Sequence, residues 1–324
     1  MQVFILREES QMKSVKLEKT VDQTTSVSNV SYYADILFET IKTGIIKSNV
    51  LAMVAGLCFA LFIHGGSLFD HMGSIILALL GSSLVIGAAG TFNNLYDRDI
   101  DAKMERTKKR PTVTGTVSTK NGLILGISFA VVGMILLAFA SPLAAVLGFL
   151  GLFLYTVPYT IWTKRSTIYN TEVGSLSGAV PPLIGWAAVS SDIYHPASIG
   201  LFVLMLIWQM PHFYAIAIRK LDDYRAAGVP MLPVVKGIKR TKIQTLVYLV
   251  LLLASSVLFY PFSKTIAITA FILTLGWMIL GIAGYKKMSD YKWATAMFIY
   301  SLNHITILFA LIIGYSLILM YVNG

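Results

Sequence analysis

The chain has 324 residues, of which 56% are hydrophobic and only 13% charged, with a mean hydropathy of +0.72. A soluble protein carries roughly 25% charged residues, so there is too little polar side chain to cover a water-facing surface, and a bilayer protein is implied. The formal net charge of +10 would suit nucleic acid, but the basic residues sit in short pieces between apolar runs, which argues against a nucleic-acid partner.

Residues 1–45 are polar and include Glu8, Glu9, Glu18 and Asp22. A mitochondrial transit peptide is Arg-rich and acid-poor, and a secretory signal ends in a cleavage site; neither pattern is seen. The segment reads as a flexible cytoplasmic extension that closes on an interfacial helix, SYYADILFETIKTGIIK. Residues 46–324 read as one all-α domain, a polytopic membrane bundle.

A spanning helix needs about 20 apolar residues. Nine stretches qualify, near 47–65, 72–95, 121–140, 143–162, 171–190, 197–217, 243–261, 265–284 and 294–321. Lys and Arg collect on the cytoplasmic side of a membrane. Here 25 of the 26 lie in alternate connections, with Lys264 the exception. Adding or removing one span destroys that alternation. The N-terminus is therefore expected inside and the C-terminus outside, with a bacterial plasma membrane the simplest location. Cys58, in the first span, is the one cysteine; it excludes an internal disulfide and reads as a small core residue.

The second span, which includes the uncharged run SIILALLGSSLVIGAAGTF, ends in NNLYDRDIDAKMERTKKRP. Asn93, Asp97 and Asp101 are spaced i, i+4, i+8, so a helix places them in one column, while Asp99 points elsewhere. Hard oxygen donors of this kind suit Mg²⁺, which is usually held by one or two carboxylates plus substrate phosphates. Arg106 and Arg110, again four apart, carry the guanidinium fork that matches phosphate oxygens. Orienting a loop needs only basic residues, so the acids ask for a further explanation.

The connection after the sixth span repeats the pattern. In PHFYAIAIRKLDDYRAAGVP, Asp222 and Asp223 stand beside Arg219, Lys220 and Arg225. Four spans separate the two clusters, which puts them on the same membrane face. Six of the chain's 16 acids lie in these two loops. Two acidic clusters facing each other would hold Mg²⁺ ions, and those a diphosphate. A diphosphate at the membrane edge implies a charged head on an oily tail, that is, a prenyl diphosphate. Its departure would leave an allylic cation in need of a dry pocket and π-faces. Phe92, Tyr96, Tyr155, Tyr159, Trp162, Trp208, Phe213 and Tyr214 are placed to supply them, or else form the ordinary interfacial belt.

Three stretches carry a family likeness: DRDIDAKMERTKKRP, TKRSTIYNTEVGSLSGAVPPLIGW and PHFYAIAIRKLDDYRAAGVPMLPVVKG. The first, with Asn93, resembles the NxxxDxxxD motif of the intramembrane aromatic (UbiA-type) prenyltransferases, and together the three resemble the protohaem IX farnesyltransferase branch. The resemblance covers residues 93 to 237, and nine spans match that family's fold. It implies transfer of farnesyl from farnesyl diphosphate to the 2-vinyl group of haem B, with addition of water, giving haem O and diphosphate. It implies Asn93, Asp97, Asp101, Asp222 and Asp223 as metal ligands, with Asp97, Asp101 and Asp223 catalytic. Arg106, Arg110, Lys164 and Arg165 match basic positions near the diphosphate. The expected partners are the two substrates, the lipid bilayer, and a haem A synthase or terminal oxidase that receives the product.

The second motif departs from the superfamily's DxxxD, since Arg219 and Ile218 stand four residues before Asp223 and Asp222; the haem branch shares this difference, and the number of metal ions is left open. His212 is the candidate haem contact, through iron, a propionate or a proton, the alternative being a helix-end histidine bonded to backbone. His304, inside the ninth span, reads as a helix–helix hydrogen bond. SLSGAVPPLIGW suits close packing, a bend or a pocket wall. A relative acting on a quinone precursor or chlorin is the main rival. A secondary transporter would carry ionisable residues near the midplane, where this chain has almost none. A head-group transferase would show DGxxAR, which is absent.

Overall fold

The computed structural model describes residues 29–323. The chain divides into a leading unit that ends at Leu37 and a unit that begins at Phe38, and most of the leader lies outside the described residues. Every regular element among the described residues is helical. In chain order they begin with α1 (Asn29–Thr40), α2 (Thr43–His64), α3 (Met72–Tyr96), α4 (Arg98–Asp101), α5 (Pro111–Thr114), α6 (Thr119–Ala140) and α7 (Pro142–Leu154). There follow α8 (Asn170–Gly178), α9 (Pro181–Ala187), α10 (Pro196–Arg219), α11 (Leu221–Ala226), α12 (Leu232–Ser255), α13 (Lys264–Lys287) and α14 (Asp290–Asn323).

Eight of these segments are long and apolar enough to cross a membrane. Their outward faces are what lipid solvates. On α6, for example, Ile124, Ile127, Val131 and Phe139 are exposed, an arrangement a water-soluble surface does not sustain over so large an area. The protein is a multi-pass membrane protein.

The stretch expected as the fifth span is not one helix. It is broken into α8 and α9 at Ala179–Val180. Pro181 and Pro182 have no amide hydrogen, so the ladder of α8 cannot continue through them, while their fixed φ suits the first turn of α9. The small residues here serve close packing. A Cβ at Gly185 would lie 1.9 Å from the Met53 carbonyl oxygen, and one at Gly56 2.0 Å from that of Pro182. Helices α2 and α9 therefore cross backbone to backbone, as small residues permit in membranes.

Two other departures have local causes. The seventh spanning segment begins at Leu232, well before residue 243, but it is kinked at Gly237 (φ 81°, ψ 163°). Lys236, Lys239, Arg240 and Lys242 in its first turns hide it from a hydropathy reading. In the fourth, α7 passes into a π-helix over Tyr155–Thr163 that contains Pro158. Proline lacks the donor for an i→i−4 bond and crowds that carbonyl; the wider π turn relieves the crowding.

The core is built around wholly buried Trp186, Trp277 and Trp293. Cys58 is buried, and His304 bonds Thr274 across α13 and α14 at 2.9 Å.

Candidate active site

Helix α3 ends at Tyr96, yet its hydrogen-bond ladder runs on. The Asp97 amide bonds the Asn93 carbonyl at 2.9 Å, and the Asp101 amide bonds that of Asp97 at 2.8 Å. The column read from the i, i+4, i+8 spacing is therefore real. Its members are buried, with Asn93 3%, Asp97 0% and Asp101 4% exposed.

Buried carboxylates need partners, and each member of the column has its own cation. The Lys42 ammonium donates to Asn93 Oδ1 at 2.5 Å. Lys164 pairs with Asp97 Oδ2, and Arg165 donates to Asp97 Oδ1 at 3.4 Å. Arg110 donates to Asp101 Oδ2 at 2.5 Å and to Asn94 Oδ1 at 3.1 Å. Asn94 in turn donates to the Thr40 carbonyl at 2.9 Å. The site thus gathers the approach to α2, the end of α3 and the end of the π-helix.

The π turn supplies two of these contacts. Thr160, also buried, accepts from Asn93 Nδ2 at 3.0 Å, and Lys164 follows directly on the π segment. Tyr155 and Tyr159 lie with ring centroids 5.3 Å apart, and the Lys164 ammonium stands 5.8 Å from the Tyr159 ring centre. Beside them an apolar groove of about 290 Å³ is lined by Phe92, Leu95, Tyr96, Leu123, Thr160 and Ile161, among others.

Burial holds the basicity of Lys42 well below the ordinary lysine value, and the charges of Arg110 and Lys164 add to the effect. Lys42 is also the one described non-glycine residue with positive φ (φ 57°, ψ 56°). Asp99 points out of the column as expected. Arg165 grips both its oxygens, at 2.7 and 2.8 Å, and also donates to the Tyr96 carbonyl at 2.8 Å. The Arg165 hydrogen bonds hold the Asp99 carboxyl below the usual range.

Other expected residues stand apart from the column. The segment Ala102–Arg110 is a run of turns, so Arg106 is exposed while Arg110 reaches Asp101. Asp222, with 95% of its side chain exposed, pairs with Arg225 at 2.9 Å. Asp223 accepts the Glu105 backbone N–H at 3.1 Å and so ties the second loop to the first. Among the described residues no three His, Cys, Asp or Glu side chains converge as a metal cage. The column still fits a metal ion, because its buried oxygens already bind cations and nothing else of that charge density surrounds them. His212 meets Ser301 Oγ at 2.7 Å through Nδ1 and is stacked on Trp208 at 4.8 Å, facing α14. Trp162 is exposed, and Phe213 largely so.

Sequence reasoning missed Lys42, Asn94 and Thr160, whose roles come from contacts across 51, 54 and 67 residues. It also missed a second polar cluster. Glu172 accepts from Tyr214 at 2.5 Å and from Gln244 at 3.2 Å, joining α8, α10 and α12. A lone acid between apolar residues in IYNTEVGSL was the available signal.

Comparison with known proteins agrees with this geometry. A Protoheme IX farnesyltransferase from Shouchella clausii (strain KSM-K16) is 60% identical over 307 residues, covering 95% of this chain and 99% of that protein. Protoheme IX farnesyltransferase 1 from Bacillus cytotoxicus is 60% identical over 284 residues, covering 88% and 93%. A UbiA homolog from Archaeoglobus fulgidus solved with GPP and Mg²⁺ shares the fold with a TM-score of 0.63 at 17% identity, over 86% of this chain and 99% of that one. An apo UbiA homolog from Aeropyrum pernix K1 gives 0.61 at 19%, over 81% and 98%. The pattern of the UbiA prenyltransferase family matches residues 51–302, and the chain belongs to that family.

Proposed function

We propose that the chain transfers the farnesyl group of farnesyl diphosphate to the 2-vinyl group of haem B (protohaem IX), with addition of water, giving haem O and diphosphate. One observation carries the reading: a buried column of Asn93, Asp97 and Asp101 holds three cations at one end of an otherwise apolar bundle. A diphosphate with a hydrocarbon tail is the ligand that uses both halves of this arrangement. The farnesyl donor and haem acceptor follow the names of relatives 60% identical to the chain.

The reaction breaks the allylic C–O bond and leaves negative charge on diphosphate. Lys164, Arg110, Arg165 and Arg106 place positive charge around it, in a setting where fixed charges act strongly because water is scarce. Asn93, Asp97 and Asp101 would hold Mg²⁺, with Asp222 and Asp223 as further ligands contributed by the second loop; when bound, the ion supplies Lewis-acid stabilisation of the leaving group. Tyr155 and Tyr159 present π-faces to the developing allylic cation. His212, its Nδ1 engaged by Ser301, offers Nε2 to the haem.

The charge alternation supports nine crossings, with α8 and α9 together forming the fifth, the N-terminus inside and the C-terminus outside. That places the site near the cytoplasmic face of a bacterial plasma membrane, where a haem A synthase or terminal oxidase assembly would take the product. The test is direct. The purified chain in nanodiscs is given haem B, farnesyl diphosphate and Mg²⁺, and the pigment is run on HPLC with mass detection. A haem heavier by one farnesyl plus water is expected. Unchanged haem, with the diphosphate cleaved, would discard the acceptor and retain the diphosphate site.

A further inference from the structure

The column's three side chains and their three cations match one to one. Lys42 is on Asn93, Lys164 on Asp97 and Arg110 on Asp101. A magnesium ion needs its oxygen ligands at about 2.1 Å, so an ammonium or guanidinium bonded to the same oxygen lone pairs competes with it. Taken together, these groups are three cations against two carboxylates and one neutral amide. A divalent ion arriving by itself would meet that excess of positive charge and would displace cations that have no other acceptor of equal strength. A diphosphate ester brings roughly three negative charges. Bound to one divalent ion, it is a unit with about one negative charge, which balances the site.

We propose that Lys42, Lys164 and Arg110 are exchangeable occupants of the metal column, and that one divalent ion and one diphosphate load together as a single unit. The metal takes the column oxygens, and the three cations transfer to the diphosphate oxygens. Lys42 is suited to the exchange. It sits in a left-handed backbone conformation (φ 57°, ψ 56°) at the hinge between α1 and α2, a conformation sparsely populated by residues with a Cβ. The second loop favours a single ion, since Asp222 is engaged by Arg225 and Asp223 by the Glu105 amide.

The inference rests on the diphosphate reading of the site, but its test needs neither haem nor farnesyl. The full chain in nanodiscs is titrated with Mn²⁺, and bound metal is read by electron paramagnetic resonance, with and without inorganic pyrophosphate. The expected result is weak binding of Mn²⁺ alone. With pyrophosphate, one Mn²⁺ per chain binds about tenfold more tightly or better, within the usual range of coupling between two ligands. Lys42→Met should tighten binding of Mn²⁺ alone several-fold and shrink the pyrophosphate effect by a similar factor. Equal Mn²⁺ affinity with and without pyrophosphate in the unaltered chain would overturn the proposal, as would two Mn²⁺ per chain. So would a folded Lys42→Met chain with both affinities unchanged. The titration of the unaltered chain stands even if the variant does not fold. A chain that shows the coupling but makes no new haem retains this inference and loses only the acceptor; one that makes product with uncoupled metal loses this inference alone.

Discussion

The side-chain amide of Asn93 donates to the hydroxyl of Thr160 at 3.0 Å, and that hydroxyl donates to the Tyr155 carbonyl at 2.8 Å. The chain of bonds fixes which way the amide faces, with nitrogen toward Thr160 and oxygen toward Lys42. It also couples the metal column to the π turn around Pro158, so the geometry of the first motif depends on a helix that holds none of its acids.

Thr160→Val should therefore act through Asn93. Losing one hydrogen bond is worth about 0.5–1.5 kcal/mol, a several-fold rise in the Mg²⁺ concentration that gives half-maximal turnover. Thr160→Ser should restore the original dependence. A Mg²⁺ titration of the two variants decides the matter, and an unchanged midpoint in Thr160→Val would mean that the amide is oriented without help from the hydroxyl.

Asp97→Asn and Asp101→Asn should each lower turnover by about 10²–10³-fold, the scale on which a lost electrostatic contact to the reacting group acts. Both variants keep the side-chain shape, so they are expected to insert into membranes normally. Haem product measured by HPLC, alongside the amount of monodisperse protein, separates lost chemistry from lost folding.

Chelation should stop the reaction and Mg²⁺ should restart it. The column has no carboxylate to spare, since Asp97 and Asp101 are both in ion pairs, and the surrounding cations alone are expected to leave less than about 1% of the rate. Activity that survives EDTA would remove the metal from the mechanism.

Gly185→Ala should destabilise the bundle without touching the site. Its Cβ would fall 1.9 Å from the Met53 carbonyl oxygen, which forces α9 away from α2 at a cost of about 1–3 kcal/mol. A lowered thermal midpoint is expected, read by size-exclusion chromatography after heating. Full stability would show that the two backbones can part freely.

Much of this was legible in the sequence because the signals were local. The Asn93, Asp97 and Asp101 column followed from helical spacing, and the spans with clean apolar runs were placed within a few residues. The seventh span was placed late because its first turns carry four basic residues. The fifth was expected as one helix, although Pro181–Pro182 marked where the ladder must stop. Arg106 and Arg110 were paired by their spacing, yet the turns between them send one outward and the other to Asp101. Lys42, Thr160 and the Glu172 cluster depend on contacts between distant helices, for which spacing along the chain holds no signal.

A π turn is, in genetic terms, a single-residue insertion that a helix has absorbed. Residues before Tyr155 and after Thr163 keep ordinary helical phase, but the two phases differ by about 100°, the angle one residue sweeps. Deleting one residue between Tyr155 and Pro158 would let the helix close its i→i−4 ladder again and would rotate Lys164 away from Asp97 by that angle. The reading frame of the fourth span is thus set by its active-site end, and the lipid-facing half of the same helix has to follow it.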